Sequence, residues 1–99
     1  MKDKLKKIAD YYKLDKQSRQ LNEELAELIQ ANSKYLRYSE SNTGMDWMYL
    51  QNMCEEIADV QIMIEQILYL LNIDIKAIEE IKIRKIDRQL ERIKCEMEK

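Results

Sequence analysis

Glycine and proline are almost absent from this chain: among its 99 residues there is one Gly and no Pro. Folds built from strands need many tight turns, and tight turns depend on these two residue types. The shortage therefore predicts a few long helices joined by short connections. A chain of this length is sufficient for one small domain, so we expect a single helical domain over residues 1–99.

The spacing of apolar residues predicts one short N-terminal helix followed by three long ones. The short helix covers residues 4–12, and a second helix begins at Asp15 or Ser18 and ends near Tyr38. A loop over 39–44, which holds Gly44, separates it from a third helix over 46–71. The last helix begins at Ile75, with Asp74 as its N-cap, and ends near the C-terminus.

Long helices with short connections imply antiparallel neighbours, so the predicted fold is an all-α antiparallel helical bundle. The apolar positions expected to face the core in the last helix are Ile78, Ile86, Leu90, Ile93 and Met97. Because 99 residues supply only a thin core, we expect the bundle to be completed by dimerisation or as a dimer of dimers.

Several classes of site and location are excluded or disfavoured by composition. The chain has no His, which removes histidine bases, histidine-paired nucleophiles and histidine metal sites. Cys54 and Cys95 are far apart, so we expect two small buried or half-buried thiols and no disulfide framework. No signal peptide is recognisable, and the longest apolar run, 67–71, is too short to span a membrane. These features predict a cytoplasmic protein.

The net charge of −2 conceals an uneven distribution along the chain. Residues 1–19 carry seven basic and three acidic side chains, whereas residues 20–75 carry two basic and ten acidic ones. Residues 76–99 return to a basic excess, with eight basic and six acidic side chains. An acidic centre thus lies between two mildly basic ends, and a nucleic-acid partner is disfavoured because that centre repels phosphate.

Two pairs of carboxylates three residues apart stand out in the acidic centre: Glu24 with Glu27, and Glu56 with Asp59. Residues at this spacing share a helix face, where like charges repel each other. No Lys or Arg lies within 20–33 or 38–75 to offset that repulsion. A helix selected only for stability usually offsets such pairs with cations, so these pairs either lie on solvated faces or bind a cation.

The helical register places one acid of each pair in an apolar seam. Glu24 interrupts the seam formed by Leu21, Leu28, Ala31 and Tyr35, and Glu56 interrupts the one formed by Met53, Val60, Met63, Ile67 and Leu70. A carboxylate that faces a core is costly unless a cation or hydrogen bonds compensate it. Four carboxylates without His offer only hard oxygen ligands, which favour Mg²⁺, or Mn²⁺ as a substitute. Glu23 either joins this site or faces water.

The last helix carries a basic strip at Lys85, Arg88 and Arg92, which are three and four residues apart. Such a strip either holds an anion such as a polyphosphate or forms an ordinary solvated face. Trp47 follows the predicted loop, where its ring either stacks on a nucleobase or covers the core.

The motifs together resemble a known family. Glu-Glu-Leu-Ala-Glu at 23–27, followed after 28 intervening residues by Glu-Ile-Ala-Asp at 56–59, resembles the ExxE and ExxD signature of all-α nucleoside triphosphate pyrophosphohydrolases of the MazG-like superfamily. The basic strip is similar to a late pattern in small single-domain members. The resemblance covers about residues 18–93.

This resemblance implies a dimer or a dimer of dimers that hydrolyses a nucleoside triphosphate to the monophosphate and pyrophosphate with Mg²⁺. Glu24, Glu27, Glu56 and Asp59 match the metal ligands of the motif, and Glu23 matches a further acid often present there. Any of Glu23, Glu24 and Glu27 is a candidate to orient the attacking water. Lys85, Arg88 and Arg92 match phosphate-binding positions, and Trp47 is a candidate for base binding. The alternative is a non-catalytic helical module that binds a nucleotide or another protein.

Overall fold

A computed structural model describes residues 1–41 and 46–98 of the chain, and these residues form three helices and no strand. Helix α1 covers Lys2–Ser41, α2 covers Asp46–Leu70 and α3 covers Ile75–Met97. The all-α prediction is therefore confirmed for this part of the chain. The predicted loop at 39–44 is wrong at its start, because α1 continues to Ser41, and its Gly44 lies outside the described residues.

The predicted short N-terminal helix corresponds to the part of α1 that precedes Lys13, but no loop separates it from the rest of α1. The helix is interrupted only at Lys13, whose φ of 70° and ψ of 172° are non-helical. Such a conformation is strained for a residue with a side chain. The boundary predicted between residues 12 and 15 therefore contains the observed break, and a single non-helical residue takes the place of a loop.

Helices α1 and α2 pack against each other as an antiparallel hairpin. Four apolar side chains are buried in its core, and these are Ala9, Ala31, Val60 and Met63. The seams predicted from the sequence are confirmed, since every apolar member of both is buried or half-buried.

Two polar contacts set the alignment of the two helices towards the end of the hairpin remote from the α1–α2 connection. The buried side chain of Gln17 donates a hydrogen bond from its Nε2 to Oε1 of the buried Gln66. Nearer the N-terminal end of α1, the Asp10 carboxylate accepts a hydrogen bond from the Tyr69 hydroxyl at the end of α2, with O–O distances of 2.8 and 2.9 Å. This hydrogen bond raises the pKa of Tyr69. A buried amide pair is satisfied only in one alignment, so it favours this register over slipped ones.

The connection between α2 and α3 is defined by its backbone hydrogen bonds. Asn72 adopts a φ of 55°, and the N–H of Ile73 donates to the carbonyl of Leu68 at 2.9 Å. This is the pattern that ends helices at a left-handed residue, where Asn is tolerated. The Asp74 side chain then accepts from the N–H of Lys76 at 3.0 Å, which confirms Asp74 as the N-cap of α3.

Helix α3 does not complete a bundle within this chain. It has no extended packing with α1 or α2, and none of its described residues is buried. The expectation that Ile86, Leu90, Ile93 and Met97 face the core is therefore wrong for the single chain, because all four are more than half exposed. Helix α3 is amphipathic, as its sequence predicts, but its apolar side faces outward.

Cys54 and Cys95 are both exposed, so the prediction of buried or half-buried thiols is also wrong. Cys54 lies between the half-buried Met53 and the exposed Glu55 on α2, and Cys95 belongs to the helix that has no buried residue. No helix in the described part of the chain combines the length and the apolar character required to cross a membrane.

A candidate acidic metal centre on the helical hairpin

The hairpin brings carboxylates from both of its helices together. One oxygen each of Glu24, Glu27 and Glu56 lies within 4.8 Å of the others. Glu24 and Glu27 are one turn apart on α1, and Glu56 reaches them from α2 because the antiparallel seams align at this level. Glu24 and Glu56 are half-buried, while Glu27 is exposed at the opening of the group.

The local sequence explains why these side chains converge. Leu28 follows Glu24 along the α1 seam, and Val60 follows Glu56 along the α2 seam, so the apolar neighbours hold both helix faces together. The two glutamates take seam positions next to apolar residues and are half-buried. The fold thus concentrates negative charge at a place where apolar side chains would stabilise it better.

The group is poorly compensated by the protein. The Oε2 atoms of Glu24 and Glu56 are buried and have no hydrogen-bond partner. Glu24 accepts one hydrogen bond, from Nε2 of Gln20 at 2.9 Å on its other oxygen. Within residues 1–41 and 46–98, no Lys or Arg forms an ion pair with any of the three carboxylates. Buried polar atoms are normally satisfied, so these two carboxylate oxygens are exceptions to the usual pattern.

Mutual repulsion affects the pKa of Glu27, the most exposed of the three carboxyl groups. The negative charge of Glu24, together with that of Glu56, raises the pKa of Glu27 above its ordinary value. A carboxyl group whose neighbours are carboxylates holds its proton more tightly, because ionisation adds a further like charge. A bound divalent cation removes that penalty by neutralising the group.

Two acids assigned to the site by sequence lie outside this group. Asp59 is exposed on α2, one turn beyond Glu56, and its oxygens are not among those that converge. Glu23 is exposed on α1 beside Glu24 and is likewise separate. The structure therefore brings together three of the four predicted metal ligands.

The predicted phosphate-binding residues form a continuous surface on α3. Lys85, Arg88 and Arg92, together with Gln89, line one shallow depression of that helix. All four are exposed, and no ion pair joins them to the three carboxylates in the described structure. Within a single chain the basic strip and the acidic group thus remain separate surfaces.

Trp47 lies in the first turn of α2 with 69% of its surface exposed, so it does not cover the core of this chain. Sequence analysis missed two neighbours of this region, Tyr38 and Tyr49, whose rings stack with centroids 4.2 Å apart and planes 2° apart. Hydrogen bonding with Tyr38 raises the pKa of Tyr49. Tyr38 continues the α1 seam beyond Tyr35, and Tyr49 precedes Met53 in the α2 seam. These positions predict that the two rings meet in the antiparallel hairpin.

A cleft of about 500 Å³ opens where the N-terminal end of α1 meets the α2–α3 connection. Its walls include Lys6, whose Nζ lies 5.5 Å from the ring centroid of Tyr69, and the apolar side chains of Leu68 and Ile73. None of these residues was singled out from the sequence, because the cleft is created by the direction in which α3 leaves the hairpin.

Comparisons of the chain with protein families, with characterised proteins and with solved structures gave no match. The functional argument therefore depends on the residues and on their geometry.

Proposed function

We propose that the protein is a Mg²⁺-dependent nucleoside triphosphate pyrophosphohydrolase that converts a (deoxy)nucleoside triphosphate and water to the monophosphate and pyrophosphate. The convergence of Glu24, Glu27 and Glu56 from two helices, with two buried oxygens that lack a partner, carries this proposal. The order of the two acidic motifs and the basic strip on α3 support it, through the family resemblance described above.

The donor set fits the ion. Three carboxylates and no imidazole or thiolate make a hard, anionic oxygen site, which is the ligand chemistry that Mg²⁺ and Mn²⁺ prefer. Glu24, Glu27 and Glu56 would hold the ion, with Asp59 as a fourth ligand after a change of its side-chain rotamer. When bound, Mg²⁺ supplies charge neutralisation of the phosphates and lowers the pKa of a coordinated water.

The remaining roles belong to the chain's own side chains. Glu23 and Glu27 are exposed at the edge of the group, where a carboxylate is able to orient water or accept its proton. Lys85, Arg88 and Arg92 bind the phosphate chain, and Arg does so with paired N–H donors. Trp47 offers an exposed ring for a nucleobase. We propose a homodimer or homotetramer in the cytoplasm, in which the basic strip of one copy serves the acidic group of another, and a role in cleaning the nucleotide pool.

The direct test is a screen for pyrophosphate release from standard and modified ribo- and deoxynucleoside triphosphates in the presence of Mg²⁺. We expect turnover of at least one nucleotide, and we expect the Glu56→Gln/Asp59→Asn double variant to lose it. Glu55→Gln is the matched control, because Glu55 is an exposed neighbour outside the group and its variant keeps the activity. Turnover that survives in the double variant, or its absence with every nucleotide, contradicts the proposed reaction.

The second candidate is a non-catalytic module that binds a nucleotide or another protein, and the outward apolar side of α3 favours it. Calorimetric titration separates the two functions. Nucleotide binding without release of pyrophosphate indicates the module, whereas binding accompanied by release indicates the enzyme.

A further inference from the structure

The second half of α3 carries an uninterrupted apolar seam that nothing in the described chain covers. Its members alternate in steps of three and four residues and are all more than half exposed: Ile83, Ile86, Leu90, Ile93 and Met97. Steps of three and four that are sustained over a helix are the pattern of a coiled-coil seam. An isolated seam of this kind is unstable in water, so it requires a partner helix.

The exposed area of the whole chain is too large for a monomer. The molecule exposes 8353 Å², whereas a folded monomer of 12.0 kDa is expected to expose about 6,000 Å². The excess of roughly 2,300 Å² is of the size that each subunit of an obligate dimer buries. A second copy of this chain is large enough to cover part of this excess, and the α3 seam is one of the exposed apolar rows that contribute to it.

Charges that flank the seam favour an antiparallel partner with the same sequence. If Ile86 packs against Leu90 of a second copy, Lys82 lies beside Glu96 of that copy on one flank. On the other flank, Lys94 lies beside Glu80 of that copy, and two-fold symmetry doubles both attractive pairs. Asp87 meets its own equivalent at the two-fold axis and is the one repulsive contact.

Other alignments of the same two helices match fewer charges. Moving the antiparallel register by one heptad in one direction leaves two attractive pairs, between Asp87 and Lys94, and moving it in the other direction leaves none, because Glu80 then meets Asp87. A parallel coil also leaves two, between Lys82 and Asp87. The basic strip at Lys85, Arg88 and Arg92 lies outside the seam in every alignment, so the contact does not cover it.

We propose that the apolar seam of α3 is the contact surface for α3 of a second copy, which packs antiparallel with Ile86 against Leu90. The inference concerns assembly and does not depend on the proposed reaction. Its experiments measure mass and cross-linking, so their failure is distinguishable from a failure to hydrolyse nucleotides.

Sedimentation analysis of the full chain tests the surface. We expect a dimer that Leu90→Glu weakens by roughly a hundredfold or more, because a charge enters an apolar interface. Ile29→Glu is the matched control, since Ile29 is an equally exposed apolar residue on the hairpin, and its variant is expected to remain dimeric. A monomeric native chain, a dimer retained by the Leu90 variant, or one lost in the Ile29 variant overturns the proposal.

Cross-linking tests the direction and the register. In the proposed alignment, Gln89 of one copy lies beside Gln89 of the other, so Gln89→Cys in a chain with Cys54→Ser and Cys95→Ser is expected to form a disulfide dimer on oxidation. The control is the Cys54→Ser chain, which retains Cys95 on the outer side of the coil. It is expected to form no disulfide between the two copies of the dimer. The absence of a bond through position 89 overturns the register, since only this antiparallel alignment juxtaposes the two side chains.

A charge exchange gives an independent readout. Lys82→Glu is expected to weaken the dimer roughly tenfold, because two attractive pairs become repulsive. Adding Glu96→Lys exchanges the two charges, so both attractive pairs form again in the proposed alignment. The double variant is therefore expected to recover the original affinity of the dimer. In a parallel coil the second change does not restore the pair with Asp87, and such a result contradicts the antiparallel contact.

Discussion

At the residue scale, the defining feature is that three acids occupy positions where the fold would be more stable without charge. Glu24 and Glu56 interrupt apolar seams, and Glu27 completes the group from the solvent side. Their mutual repulsion raises the pKa of Glu27, and two buried oxygens have no hydrogen-bond partner. A protein shaped by stability alone would place apolar residues or an ion pair here. The arrangement is therefore the observation on which the proposed metal site depends.

Removing the charge of Glu27 is expected to stabilise the metal-free protein at neutral pH. The folded state holds the Glu27 proton more tightly than the unfolded chain, so stability from this group is present at low pH. It is lost as the pH rises from the ordinary glutamate value of 4.5 through the raised pKa of Glu27 in the folded protein. Glu27→Gln should therefore raise the Tm at pH 7 and leave it nearly unchanged at pH 4.

The measurement is thermal unfolding in EDTA across this pH range. Glu55→Gln makes the same change of charge at an exposed position outside the group, and it should have little effect at either pH. An equal effect of both variants would mean that net charge, and not the local cluster, explains the change.

Adding Mg²⁺ or Mn²⁺ is expected to raise the Tm of the native chain by several degrees, because a ligand that binds only the folded state stabilises it. EDTA should reverse the shift. Glu24→Gln/Glu56→Gln should remove it, since this variant keeps the shape of the two side chains while it removes their charge. Na⁺ at matched ionic strength is the control, and a shift of the same size with Na⁺ would indicate general screening and no specific site.

At the element scale, the sequence was a good guide to helices and to the hairpin seams, and a poor guide to what lies opposite each helix. The starts of α2 and α3 and the N-cap at Asp74 followed from local chemistry that the residues themselves carry. The break at Lys13 is not marked by Gly or Pro, and only the spacing of apolar residues and the candidate caps Asp15 and Ser18 indicated a boundary there. The outward side of α3 was missed because an amphipathic pattern reports that a helix needs a partner, but not whether the partner belongs to the same chain.

The amide pair between Gln17 and Gln66 is the element-scale contact most open to test. We expect Gln66→Leu to destabilise the protein by about 1–3 kcal/mol, because it leaves a buried Gln17 amide without its partner. The Gln17→Leu/Gln66→Leu double variant should recover most of that loss, since two apolar side chains satisfy each other. Urea unfolding of the native chain, both single variants and the double variant measures the coupling free energy. Additive losses would contradict a direct buried contact.

At the scale of the whole molecule, the chain is more extended than a compact domain of its length. Its Cα radius of gyration is 17.6 Å, whereas a compact domain of this length has about 13 Å. The hairpin buries few side chains, and α3 buries none in the described structure. The hairpin also exposes a second apolar row at heptad spacing, formed by Leu50, Ile57, Ile64 and Leu71. Folding and association should therefore be coupled.

This coupling makes thermal stability depend on protein concentration. For a chain whose folded state is an oligomer, mass action favours the folded state at higher concentration, so the Tm should rise by several degrees over roughly a hundredfold range of concentration. Leu90→Glu, which removes the apolar contact of α3, should lower the Tm and reduce this dependence, whereas Ile29→Glu should preserve it. Circular dichroism at dilute concentration and calorimetry at high concentration cover the range. A Tm that is constant over this range would show that the hairpin is stable alone, and that its exposed apolar rows do not contribute to folding.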